Sequence, residues 1–184
     1  MGRSEHARVV TRIALLRAIN VGGHSVAMER LRGLFTELGH KNVRTLIASG
    51  NVVFDAGSKK AATLESAIEK HLKASLGYEV STFVRTPDEI DGVIGHEPFP
   101  RATIDRAHAL WIAFLKEAPG ADAVRKLNAL RCATDDFHVY GREIYWLRRV
   151  TSTDSKIAGS HLERALGAPL TARNITTVTK LAAF

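Results

Sequence analysis

The chain has 184 residues, 45% hydrophobic and 24% charged, which is the composition of a globular protein able to build its own core without staples. Its single cysteine, Cys132, excludes an internal disulfide and suits a reducing compartment, and the only apolar stretch near the start, Ile13 to Leu16, is far too short for an export signal or a membrane span. The net charge of +7 is uneven: residues 1–50 hold eight Lys/Arg against three Asp/Glu and residues 145–184 hold six against two, so both ends of the chain are basic and the middle is slightly acidic. A cytoplasmic protein that stays off the membrane is expected. The myristoylation pattern also fails, because His6 stands where Ser or Thr is needed.

In chain order, Val9 to Arg17 is a β-branched and apolar run and reads as a buried strand. Asn20-Val21-Gly22-Gly23-His24 is a loop. Met28, Leu31, Leu34, Phe35 and Leu38 then share one helical face, with Gly39 placed as its C-terminal stop. Val43 to Ala48 and Val52 to Phe54 flank Ser49-Gly50-Asn51, a hairpin signal with Gly-Asn at the turn. Leu64, Ile68, Leu72 and Leu76 predict the next helix, supported by Glu69 and Lys73 four apart and stopped by Gly77. Val80, Thr82 and Val84 alternate as a fourth strand. The order is βαββαβ, the ferredoxin-like arrangement.

The second half repeats that order less regularly. Thr86-Pro87-Asp88-Glu89 opens a connector helix to about Ile94, and His96 to Arg106, with two prolines, reads as a linker. A strand (Ala109 to Leu115), a helix (Ala121 to Leu130) and two strands around Gly141 (Phe137 to Tyr140, Glu143 to Leu147) follow. A helix from Ser155 to Leu166, an extended piece (Ala168 to Thr171) and a C-terminal helix complete the reading. The fold class is therefore α+β: two ferredoxin-like (α–β plait) units, βαββαβ duplicated, over 1–85 and 107–184. A connector occupies 86–106. The duplication is one of topology, with no short sequence repeat.

Three segments are candidates for chemistry. Arg17 to Gly23 is a polar loop between strand and helix, whose N–H groups, with Arg17 and Asn20, suit an anion; on loop statistics alone a plain glycine-permitted turn is the stronger reading. It is neither a dinucleotide fingerprint nor a P-loop. Ser49-Gly50-Asn51 is first of all what a hairpin turn requires, and Ser49 lacks the frame of a hydrolase nucleophile. If Thr171 to Leu181 is helical, Arg173, Thr177 and Lys180 share a polar stripe, with Asn174 at its start, suited to phosphate or carboxylate. The alternative is a capped, solvated helix. The histidines show no metal-ligand spacing, Ser155-Lys156 fits no catalytic frame, and Cys132 has no motif around it. Val52-Val53-Phe54 resembles the end of an RNA-binding signature whose upstream aromatics are missing. No metal or cofactor is expected.

Taken together, Arg17-Ala18-Ile19-Asn20-Val21-Gly22-Gly23, Ser49-Gly50-Asn51-Val52-Val53-Phe54 and Thr171-Ala172-Arg173-Asn174 with Thr177-Val178-Thr179-Lys180-Leu181 closely resemble the DUF1697 family of uncharacterised bacterial proteins. The resemblance spans nearly the whole chain and implies paired α–β plaits; it implies no activity. The family's first motif usually reads Arg-Gly-Ile-Asn, where this chain has Ala18, and its second usually places Gln where this chain has Ala48. A ligand touching either position would be held differently here.

Three functional readings follow. The first is a binding module for an anionic ligand, a phosphorylated metabolite or nucleic acid, using Arg17, Asn20, Gly22, Gly23, Ser49, Asn51, Arg173, Asn174, Thr177 and Lys180. The second is an enzyme acting on a small polar substrate through Arg, Asn and Lys positioning groups, for which no general base stands out. The third is a protein-interaction or assembly module. The sequence leaves oligomeric state and enzymatic activity open.

Overall fold

In the computed structural model, residues 9–20, 23–47 and 50–184 are described; Gly22, Ala48 and Ser49 lie outside the described residues. The described chain forms two four-stranded antiparallel sheets and seven helices, a mixed α+β protein. It divides into two units, Met1–Pro87 and Asp88–Phe184. No helix among the described residues is long and apolar enough to cross a membrane.

The first unit runs β1 (Val10–Leu16), α1 (Met28–Glu37), β2 (Lys41–Leu46), β3 (Asn51–Ala56), α2 (Ala61–Leu76) and β4 (Thr82–Arg85). The sheet order is β2-β3-β1-β4. Ala14 and Leu16 of β1, with Val52 and Phe54 of β3, meet the predicted stripes of α1 (Leu31, Leu34, Phe35) and α2 (Leu64, Ile68, Leu72) in one buried core. Each such large side chain contributes roughly 1.5–3 kcal/mol by leaving water. Gly77 ends α2 in the left-handed region at φ 83°, its N–H bonded to Lys73 O.

Two details differ from the alternation expected of β4. All four of its residues are buried, and the strand starts at Thr82, after Val80. β4 is an edge strand, and its outward N–H groups are met by α2: Thr82 N–H donates to Glu69 Oε1 and Val84 N–H to Glu65 Oε1, each at 2.8 Å. This is why a carboxylate, Glu65, sits buried on the helix. Lys73 reaches forward to Glu79 at 2.7 Å. Val52, Val53 and Phe54 are all buried, so they offer no ring to a nucleic-acid base.

The second unit runs α3 (Pro87–Gly95), α4 (Arg101–Asp105), β5 (Ala109–Phe114), α5 (Ala121–Asn128), β6 (Asp135–Tyr140), β7 (Glu143–Arg148), α6 (Gly159–Leu166), β8 (Thr171–Asn174) and α7 (Ile175–Ala182). Its sheet order is β6-β7-β5-β8. Ala113, Phe137, Ile144 and Trp146 pack with Leu127 and Leu162 in a second core. The segment expected as a linker contains α4, and α3 and α4 belong with this unit instead of standing apart.

Two further expectations are corrected here. α6 begins at Gly159, not Ser155, because the Ser155 hydroxyl is drawn away to Asp135 Oδ2 at 2.7 Å, and the start of α6 is held by Ala158 N–H donating to His161 Nδ1 at 3.0 Å. The extended piece near the C-terminus is a strand that takes in Arg173 and Asn174, so helix α7 starts only at Ile175. Cys132 is exposed, its Sγ lying 3.2 Å from Thr134 Oγ1.

Candidate functional site

The first two motifs meet within the first unit. Leu16 N–H donates to Gly50 O at 2.8 Å, Leu15 pairs with Asn51 across β1 and β3, and Arg17 N–H donates to Ser81 O at 2.8 Å. The Asn20 carboxamide closes its loop by accepting Val26 N–H through Oδ1 and donating to Val26 O through Nδ2 at 3.2 Å. Asn51 is the first residue of β3 and not a turn residue. It is fully buried, and its Nδ2 donates to Leu46 O at 3.0 Å, joining the two ends of the hairpin. Both asparagines therefore shape backbone.

Gly23 lies in the left-handed region at φ 89°, and so do two non-glycine residues of this loop, Ala18 at φ 61° and Asn20 at φ 56°. Asparagine tolerates that region; alanine is held there against its preference by roughly 1 kcal/mol. Ala18→Gly should therefore stabilise the protein by about 0.5 kcal/mol, once the greater freedom of glycine in the unfolded chain is subtracted. Urea melts read this directly. A lower midpoint for the glycine variant would show that the strain at position 18 is not real.

In the second unit the polar stripe expected for Arg173, Thr177 and Lys180 does not form, because Arg173 is in β8, opposite Ile112. Its guanidinium is buried and donates to Thr171 Oγ1 at 2.8 Å and Ala172 O at 2.9 Å, and burial lowers its pKa to about 10. Asn174 caps α7, its side chain accepting Thr176 N–H at 2.9 Å. Thr177 is half-buried on α7 and Lys180 exposed. The motif that reads as one helix is a strand, a cap and a helix in turn.

Two concave surfaces are not signalled by any motif. In the first unit a cavity of about 250 Å³ is lined by His40, Lys41, Asp55 and Lys59 together with Val9, Leu38, Leu64 and the small residues Gly39, Ala56 and Gly57. The Asp55 carboxylate there accepts from Thr11 Oγ1 at 2.9 Å and from Asn42 Nδ2 at 2.7 Å. Burial, and then the charge of Lys59, depress the pKa of His40, which keeps its ring neutral near pH 7. The adjoining α2 has Lys60 at its N-cap with no side-chain cap and no acidic residue in its first turn, so its positive end is uncompensated by those positions.

In the second unit a cleft of about 470 Å³ is lined by α3, the segment after it, α4, Leu110, Tyr145 and Ile175. His96 is in its wall. The ring stacks on Tyr140 at 3.9 Å between centroids, and its Nε2 lies 3.0 Å from His138 Nε2. Tyr145 lies beside them with its hydroxyl donating to Val93 O at 2.8 Å, and burial raises its pKa. Burial, then the charges of His96 and Arg131, lower the pKa of His138. No group of three or more metal-ligating side chains occurs among the described residues.

No curated protein matches the sequence. The fold is similar to that of a solved structure, the conserved bacterial protein SP0830 from Streptococcus pneumoniae, with a TM-score of 0.75 at 22% identity over 96% of this chain and 98% of that one. At that identity the likeness concerns fold alone. A family model described as a protein of unknown function, DUF1697, matches residues 9–145, and the chain belongs to that family.

Proposed function

We propose that the protein is a binding module for an anionic ligand bearing a phosphate or similar group, received by the His40–Lys41–Lys59 cavity of the first unit. The observation that carries this reading is the charge of that cavity. Two lysines face one carboxylate, and that carboxylate is already occupied by Thr11 and Asn42. A neutral His40 adds a hydrogen-bonding nitrogen, and the uncapped positive end of α2 lies next in sequence to Lys59 and Lys60. The volume suits a phosphate-sized group with a small body attached, and the basic first 50 residues favour the approach of an anion. Of the residues singled out in the sequence, Asn20, Asn51 and Asn174 have backbone partners that explain their presence, and so leave the anion reading resting on lysines.

The βαββαβ order in each unit, with the first strand lying between the third and the fourth, supports reading both units as ferredoxin-like plaits.

Pyrophosphate titrated at low ionic strength should shift the His40 and Lys59 NMR resonances and raise the melting temperature. The double variant Lys41→Met/Lys59→Met should lose most of that response, because both lysines are exposed and their removal leaves the core intact. An unchanged response in the double variant would move the site elsewhere. A nucleic-acid ligand is distinguished by salt: each neutralised phosphate adds about −0.7 to −0.9 to the slope of log affinity against log salt.

A further inference from the structure

We propose that the cleft of the second unit is a binding site for a small, uncharged and mainly apolar molecule carrying one hydroxyl group, an apolar alcohol or a phenol, which His96 receives. The site lies in a different unit from the anion cavity and its chemistry is different. The cleft volume of about 470 Å³ falls within the range of small-molecule sites, roughly 300–1,000 Å³. Its walls are largely apolar, with Val93, Ile94, Phe99, Ile104, Leu110 and Ile175 among them. The two charged residues of the lining, Glu97 and Arg101, are exposed and opposite in sign, and Arg101 also pairs with Asp105 at 2.9 Å. The cleft therefore offers no surplus charge to an ion.

The polar demand comes from His96. Its Nε2 is fixed by His138 Nε2, and its ring is held flat against Tyr140. Among the described residues no group bonds its Nδ1. The contact between the two Nε2 atoms needs one proton between them, which leaves His96 Nδ1 a donor in one tautomer and an acceptor in the other. A hydroxyl answers both, because it donates and accepts. An ammonium, a carboxylate or a carbonyl answers one. Tyr145 does not compete as a donor, since its hydroxyl proton goes to Val93 O. A ligand seated on these walls thus meets a ring nitrogen that no described protein group bonds, and a single hydroxyl can engage it in either tautomer.

The test uses three probes with one body and different heads: 4-propylphenol, propylbenzene and 4-propylbenzoate, each titrated at pH 7.5 while the His96 and His138 ring resonances are followed by NMR. The phenol should bind about tenfold more tightly than propylbenzene, as one hydrogen bond allows, and should shift the His96 resonance; the benzoate should bind most weakly. His96→Phe keeps a ring to stack on Tyr140 and should reduce phenol affinity to that of propylbenzene, leaving propylbenzene unchanged. Leu110→Trp, or Ile104→Trp from the opposite wall, fills the cleft and should abolish both. Equal affinity of phenol and propylbenzene, tightest binding of the benzoate, or phenol binding that survives both filling variants would overturn the proposal.

Discussion

Asp135→Ala should destabilise the second unit by about 3–5 kcal/mol, the typical loss when one partner of a buried charge pair is removed. Asp135 opens β6 and is fully buried. Its Oδ1 accepts Trp146 Nε1–H at 2.7 Å and lies 3.6 Å from Arg148 Nε; its Oδ2 accepts the hydroxyls of Thr134 and Ser155, each at 2.7 Å. Alanine would strand an indole N–H, take the carboxylate acceptor from two hydroxyls, and remove the counter-charge of a guanidinium that is itself nearly buried and lies 4.5 Å over the Trp146 ring. The chain from Arg149 to Ala158 would also loosen, because Ser155 and Ile157 are tied to this cluster: Arg148 donates to Ile157 O at 3.3 Å and Ile157 N–H to Ser155 Oγ at 3.0 Å.

Asp135→Asn keeps the volume and removes the charge, so its loss should be smaller. The two variants also differ in pH dependence. Burial pushes the Asp135 carboxyl up, but the hydrogen bonds from Thr134, Ser155 and Trp146 and the charge of Arg148 outweigh it, holding the group below the usual carboxylate range. A depressed folded value contributes stability that is present above the unfolded pKa of about 3.9 and is lost as pH falls through the folded value. Wild type should therefore shed this contribution below about pH 4, and Asp135→Asn should show a flatter acid limb in urea melts between pH 7 and pH 3. Parallel limbs would mean that the carboxylate is not the charged centre of the cluster.

That cluster shows what local pattern can and cannot convey. The spacing of Leu31, Leu34 and Phe35, and of Leu64, Ile68 and Leu72, announces two amphipathic helices because each face repeats within a few residues. Ser155 carries the opposite lesson. It reads as a helix start by its type and neighbours, yet its partner is Asp135, twenty residues earlier. β8 hides for a related reason: Arg173 is buried on a strand where an apolar residue is expected, and its own Thr171 and Ala172 satisfy it. The cleft is invisible in the sequence. His96 and His138 are forty-two positions apart, and only the pairing of β6 with β7, together with the return of α3 along this unit, sets them 3.0 Å from one another. Lys41 and Lys59 likewise come to one cavity from β2 and from the approach to α2. Of the three motifs only the first two read locally, because Asn20 and Gly50 serve the loop and turn in which they occur; the third is split between a strand and a helix.

Gly50→Ala tests that last point most sharply and should destabilise the first unit by about 2–4 kcal/mol, combining left-handed strain with overpacking. Gly50 has φ 75°, and a Cβ added there would lie 3.0 Å from Leu16 Cβ and 3.1 Å from both Ile19 Cβ and Cγ2. Neither neighbour can retreat easily. Leu16 is the last residue of β1 and is hydrogen-bonded to Gly50 itself; Ile19 is buried between two left-handed residues, in a loop that Asn20 closes onto Val26. Gly39→Ala supplies the control. It has φ 83° and nothing within 4 Å of the added Cβ, so it bears only the backbone strain, about 1–2 kcal/mol. The difference between the two variants isolates the contact between the first motif and the second. If they prove equally destabilising, the loop gives way and the glycine is there for its backbone angle alone. If Gly50→Ala is worse by a kcal/mol or more, about the overpacking cost of one methyl in a tight contact, then Gly50 and Asn51 together are what seat the hairpin against the Arg17–Asn20 loop. These residues of the second motif are then requirements of folding, and a ligand has to be sought where the side chains have chemistry left over.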